Sequence, residues 1–101
     1  MELTITRLVG AGGGNTALRL CGSIDLMTRK AALDAGLGVL EDEDELMLDL
    51  AEVDFMDSVG IGALIELARA AETHGKRFAI VDCSPRVQRV LDATGLHDAW
   101  R

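Results

Sequence analysis

The sequence predicts an α/β fold with the element order ββαβαβα, and three observations carry that reading. Short apolar runs recur at residues 3–9, 16–21, 46–50 and 78–81. Stretches with apolar residues three and four apart follow the second, third and fourth of these runs, as amphipathic helices require. Only a glycine-rich segment joins the first two runs, which suits a turn and not a helix. The β-α-β crossovers in such an order are right-handed and join parallel strands.

The elements follow in turn. Leu3, Ile5 and Val9 stand among Thr4, Thr6 and Arg7, near enough to alternation for a first strand. Gly10-Ala11-Gly12-Gly13-Gly14-Asn15 is expected to turn the chain into a second strand, Thr16 to Cys21, which Gly22-Ser23-Ile24-Asp25 ends. Thr28 is a candidate N-cap for a helix to about Leu40, with Ala32, Leu33, Gly36, Leu37 and Leu40 as its apolar stripe. Glu41 to Glu45 reads as a solvated, solubilising connection. A central strand takes in Leu46 to Leu50, with Val53 and Phe55 continuing its apolar positions.

A second helix is expected from Ser58 to about Thr73, burying Ile61, Leu64, Ile65, Ala68 and Ala71 and closing on His74-Gly75. Phe78 to Val81 is apolar enough for a strand covered by helices. Ser84-Pro85 then opens the last helix, serine as N-cap and proline at the first helical position, with Val87, Val90, Leu91 and Thr94 as its stripe and Gly95 as its end.

The chain has 101 residues, of which 49% are hydrophobic and 27% charged, so it suits one domain that folds without metal or disulfide staples. Its net charge of −7 argues against nucleic acid, whose phosphates call for clustered Lys and Arg, and against an anionic membrane surface. The acidity is concentrated. Residues 25–57 carry eleven acids against Arg29 and Lys30, whereas each flanking block is net +1. No basic leader or spanning stretch is present near Met1, and the expected location is cytoplasmic. Cys21 and Cys83 lack metal or redox spacing and read as reduced, partly buried thiols.

The most informative segment is Asp54-Phe55-Met56-Asp57-Ser58-Val59-Gly60-Ile61-Gly62, where a strand ends and a helix begins with two glycines in its first turns. Glycine there weakens the helix, so two of them imply a close approach by another backbone or another surface. The free N–H groups of the helix start favour a phosphate. Spacing alone fits two readings of Ser58 equally, a helix cap or a modifiable hydroxyl. A catalytic serine is disfavoured, because His74 belongs at the far end of the same helix and His97 to the terminal tail. Gly10 to Gly14 lacks the Lys-Ser/Thr ending of a phosphate loop, and Gly60-x-Gly62 lacks the third glycine of a dinucleotide fingerprint. No calcium-loop spacing exists in 41–45, and no metal or cofactor is expected. Arg86 and Arg89, three apart, are read as bracing the last helix against solvent. If the second and central strands are parallel neighbours, Asp25 shares one edge with Asp57 and Ser58, where α/β proteins place their sites.

Leu20-Cys21-Gly22-Ser23-Ile24-Asp25, then Asp49-Leu50, then Phe55-Met56-Asp57-Ser58-Val59-Gly60-Ile61-Gly62, then Val81-Asp82 and Ser84-Pro85 resemble a STAS domain. Val87-Gln88-Arg89-Val90-Leu91 leading to Thr94-Gly95-Leu96 completes the likeness, which is to the bacterial anti-sigma factor antagonists, or anti-anti-sigma factors. The resemblance implies a single STAS domain over 1–101, a small mixed β-sheet of four or more strands with helices packed mainly on one side. It also implies a switch and not an enzyme. The unphosphorylated protein would bind an anti-sigma factor with serine kinase activity and free the sigma factor. Phosphorylation at Ser58 would end the binding, and a serine phosphatase would restore it. The implied partner-binding set is Asp25, Asp57, Ser58, Val59, Gly60, Ile61 and Gly62. Val59 stands where many relatives carry a second hydroxyl, and Ser23 where glutamate is frequent. The alternative is a STAS accessory subunit of a membrane transport system, bound to a cytoplasmic ATPase, with Ser58 as cap and contact.

Overall fold

The computed structural model describes residues 2–9 and 16–95. The expected glycine turn at 10–15, and Leu96 and His97, lie outside the described residues. Within them the order is β1 (Leu3–Val9), β2 (Thr16–Ile24), α1 (Arg29–Asp42), β3 (Glu45–Met56), α2 (Ser58–Thr73), β4 (Arg77–Cys83) and α3 (Pro85–Thr94). The strands form one sheet in the order β1-β2-β3-β4, with β1 antiparallel to β2 and the other two pairs parallel. This is the mixed ββαβαβα sheet expected from the sequence. No helix among the described residues is long and apolar enough to cross a membrane.

The core is aliphatic, as three aromatic residues in the whole chain require. Leu18, Leu20 and Ile24 of β2 and Leu46, Leu48, Leu50 and Val53 of β3 are buried. Ile61, Ala63, Leu64 and Leu67 of α2 pack in the same cluster, with Leu33, Val39 and Leu40 of α1 and Val87 and Leu91 of α3.

Several sequence expectations shift. On α1 the buried line is Ala32, Leu33, Gly36, Val39 and Leu40, while Leu37 is exposed. Gly36 explains this: a Cβ there would lie 2.6 Å from Leu67 Cδ2, so α2 docks over Gly36 itself. A helix turns about 100° per residue, which leaves position 37 on the flank and brings position 39 inside. On α2, Gly60, Ala63 and Leu67 join the buried line, and Ile65 and Ala68 are only half-buried. β2 continues through Ile24, past register shifts at Arg19/Cys21 and Gly22/Ser23 that the strand period does not reveal, whereas β3 ends at Met56 as expected. β4 is an edge strand, so Val81 is exposed and not covered on both faces. Cys21 and Cys83 are half-buried and form no disulfide.

The run 41–45 is not simply a solvated loop. Glu41 and Asp42 finish α1, and Glu45 begins β3. Glu43 accepts a hydrogen bond from the buried Thr16 hydroxyl at 3.2 Å, and Arg7 reaches Asp42 and Glu43 at 3.7 and 3.9 Å. Arg77 meets Glu45 at 3.1 Å. These carboxylates stitch the ends of β1, α1 and β4 together, although half-exposed pairs of this kind contribute only about 0–1 kcal/mol each.

Candidate functional site

The parallel pairing of β2 with β3 sets Ile24 opposite Met56. The chain therefore leaves both strands at one sheet edge, with Asp25 to Thr28 on one side and Asp57 to Gly60 on the other. Asp25 and Asp57-Ser58 share that edge, as a parallel pairing requires.

The second of these turns starts α2. Asp57, in extended conformation, accepts hydrogen bonds at Oδ1 from the N–H groups of Val59 (3.0 Å) and Gly60 (3.1 Å). Its carbonyl accepts from Ile61 N at 3.0 Å. The helix cap is thus Asp57 and not Ser58, which is the first helical residue and is exposed. Serine and aspartate are equally good caps, so composition alone does not assign the role. Asp57→Ala is expected to cost about 1 kcal/mol of stability. Asp57→Asn should retain most of it, and urea melts of the two variants check both values.

The two glycines divide the work. A Cβ on Gly60 would overlap the carbonyl oxygen of Ile24 and lie 2.8 Å from Met56 Cγ, so Gly60 lets α2 begin against the end of β2. Gly62 is exposed, and a Cβ there would meet nothing within 4 Å. The fold accounts for Gly60 and leaves Gly62 open to an incoming surface. Of the other expected contact residues, Ile61 is buried, Val59, Asp25 and Asp57 are half-buried, and Ser58 is exposed.

The first turn is held by Asp25 and Thr28. Asp25 Oδ1 accepts from the N–H groups of Met27 (2.9 Å) and Thr28 (3.1 Å). The Thr28 hydroxyl accepts from Asp25 N at 3.0 Å and donates to the Ser23 carbonyl at 2.7 Å. Thr28 makes no side-chain cap to α1; it serves the turn. Ser23 is buried, with its hydroxyl 3.5 Å from Asp54 Oδ1, so it lies beneath the surface of this edge. Behind the edge, Arg29 pairs with Glu66 at 2.5 Å and ties α1 to α2. His74 caps the far end of α2, its Nδ1 2.8 Å from the Ala70 carbonyl. Sixteen helical residues, at about 1.5 Å each, separate it from Ser58 by roughly 24 Å. Arg86 and Arg89 are exposed on α3.

A family model described as Mlab, STAS domain, matches residues 8–99. The chain belongs to the STAS-domain family. This STAS chain is similar to the anti-sigma-F factor antagonist RsfB of Mycobacterium tuberculosis, at 32% identity over 102 residues that cover 97% of this chain and 80% of the relative. It is also 34% identical over 58 residues to the anti-sigma-B factor antagonist of Staphylococcus epidermidis, covering 57% of this chain and 54% of that one. The chain thus spans about half the length of the staphylococcal relative. A crystal structure of an anti-sigma factor antagonist from Mycobacterium paratuberculosis matches it with a TM-score of 0.77 at 28% identity, covering 96% of this chain and 83% of the other.

In this STAS domain the edge expected to hold Asp25, Asp57 and Ser58 also carries Leu26, Met27 and Thr28, which the strand and helix periods do not assign to it. The available signal was two large apolar residues between an aspartate and a threonine, in a turn where polar residues are usual.

Proposed function

We propose that this STAS domain is an anti-sigma factor antagonist. Its unphosphorylated form binds an anti-sigma factor with serine kinase activity and releases the sigma factor, and phosphorylation of Ser58 switches the binding off. The observation that carries this reading is Ser58 itself, exposed at the first position of a helix whose start is fixed by Asp57. The names of the relatives support it.

In the transfer, Ser58 Oγ bonds to the γ-phosphorus of ATP, the bond to the β-phosphate oxygen breaks, ADP leaves and the hydroxyl proton passes to the kinase. The product carries about −1.5 to −2 charge at neutral pH. Beside Asp25 and Asp57 that charge adds like-sign repulsion within the edge itself, and its bulk and tightly held hydration resist burial at a surface the partner covers. A serine phosphatase that hydrolyses the ester restores the binding form.

The test incubates the protein with a kinase-type anti-sigma factor from the same organism and ATP, then maps phosphate by mass spectrometry. Phosphate on Ser58 and at least a tenfold loss of affinity are expected, with Ser58→Ala unmodified. Undiminished phosphorylation of Ser58→Ala overturns the reading. So does tight binding of a transport ATPase in place of the anti-sigma factor, which assigns the domain to the accessory-subunit role.

A further inference from the structure

Leu26 and Met27 are 72% and 84% exposed, at the edge that carries Ser58. A connection that merely closed β2 onto α1 would place polar residues there. Their backbone is nonetheless held firmly. Besides the Asp25 and Thr28 side-chain bonds, the Asp25 carbonyl accepts from Thr28 N at 3.3 Å and from Arg29 N at 2.9 Å. Thr28 is buried. The polar side chains of the turn point into it and bond its own backbone, while the two apolar side chains are displayed outward.

We propose that Leu26 and Met27 form an apolar anchor that enters a cation-rimmed apolar pocket on the protein partner that covers Ser58; the inference rests on the antagonist reading above. Three observations specify the occupant. Position is the first: Ile24 pairs with Met56, and Gly60 admits α2 against the Ile24 carbonyl, so a surface covering Ser58 extends over this turn. Charge is the second. Asp25 adjoins the anchor in sequence and Asp54 and Asp57 flank the β3 end that pairs with Ile24, while the cations that follow the anchor are paired, Arg29 with Glu66 at 2.5 Å and Lys30 with Asp34 at 2.7 Å. The rim is therefore acidic and complements Lys or Arg on the partner. A second copy of this chain, at −7, would set the same acids against each other, and an anionic lipid surface would repel them. Order is the third: a turn already locked loses little conformational freedom on docking, and methionine adapts to a pocket of imperfect shape.

The test uses calorimetry with the same kinase-type anti-sigma factor, comparing the wild type with the double variant Leu26→Ser/Met27→Ser. Both side chains are exposed, so the double variant should melt with the wild type. Leu37→Ser, an exposed apolar position in the C-terminal half of α1, away from this turn, serves as the control. The anchor reading expects at least a thirtyfold weaker complex for the double variant, an unchanged complex for Leu37→Ser, and recovery with Leu26→Ile/Met27→Leu. Phosphorylation of Ser58 in the double variant should show raised KM with kcat retained. Affinity within twofold of wild type, with Ser58 still phosphorylated, overturns the anchor and leaves the antagonist reading standing. A thirtyfold loss with no phosphate ever reaching Ser58 sustains the anchor and overturns the switch. A wild-type dimer that the double variant converts to monomer overturns the anchor in favour of self-association, and failure of the wild type to bind overturns both.

Discussion

Gly60→Ala should destabilise the protein by about 3 kcal/mol and lower its melting temperature by roughly 10–20 °C, a large share of a small domain's margin. Alanine is the better helix former by about 1 kcal/mol, so an exposed glycine would show a gain. Gly60 shows a loss because the added carbon meets the Ile24 carbonyl oxygen and Met56 Cγ. A side chain in the way can rotate; a carbonyl inside a paired strand end cannot. Either α2 lifts from the sheet or β2 frays, and both outcomes disturb the edge holding Asp25 and Ser58. Gly62→Ala is the matched control, with empty space at the same helical turn, and should be neutral or stabilising by up to about 1 kcal/mol. Thermal melts of the pair decide the matter, and equal melting temperatures would refute the steric account.

Ser84→Ala should cost about 2–4 kcal/mol. The Ser84 hydroxyl works in two directions. It accepts from Val87 N at 3.3 Å, capping α3, and donates to the Val53 carbonyl at 2.5 Å. Losing a cap costs about 1 kcal/mol, and leaving a buried carbonyl unpartnered adds about 1–3. Ser84 N also donates to the Leu50 carbonyl at 3.1 Å, so this residue pins α3 to β3 where the pairing of β3 with β4 ends. Ser84→Thr keeps both hydroxyl functions and should remain near wild type. Ser84→Asp keeps the cap, cannot donate to Val53 and sets a charge against a carbonyl, so it should be no better than alanine. Urea denaturation midpoints with an unchanged slope provide the measure, and full rescue by aspartate would show that only the cap matters.

The legible parts of this molecule were those governed by local rules. Ser84-Pro85 and Gly95 marked the last helix because capping and a left-handed terminus are settled within a few residues, and Gly95 has φ 72°. Ser58 to Thr73 was readable from its period, with the ends where they were expected. What escaped was decided between elements. Leu37 and Val39 exchanged roles because α2 docks on Gly36, and no helical period contains that information. β2 outran its expected end at Cys21 because register shifts keep it paired with β3 as far as Ile24. Glu43 and Glu45 looked solubilising until Arg7, Thr16 and Arg77 came alongside from distant parts of the chain. At the site, the edge shared by Asp25 and Ser58 followed from topology. Which of Asp57 and Ser58 caps the helix did not, since both side chains suit the role.

Asp57 already occupies the donors at the head of α2: Oδ1 holds the N–H groups of Val59 and Gly60, and its carbonyl holds that of Ile61. A phosphate on Ser58 would find those seats taken and project outward from a helix that has no need to rearrange. The modification would then act as a flag on the exterior rather than a lever within, legible to whatever approaches and silent to the core beneath. Under the proposed switch, the protein would be marked and cleared repeatedly while every copy stays folded.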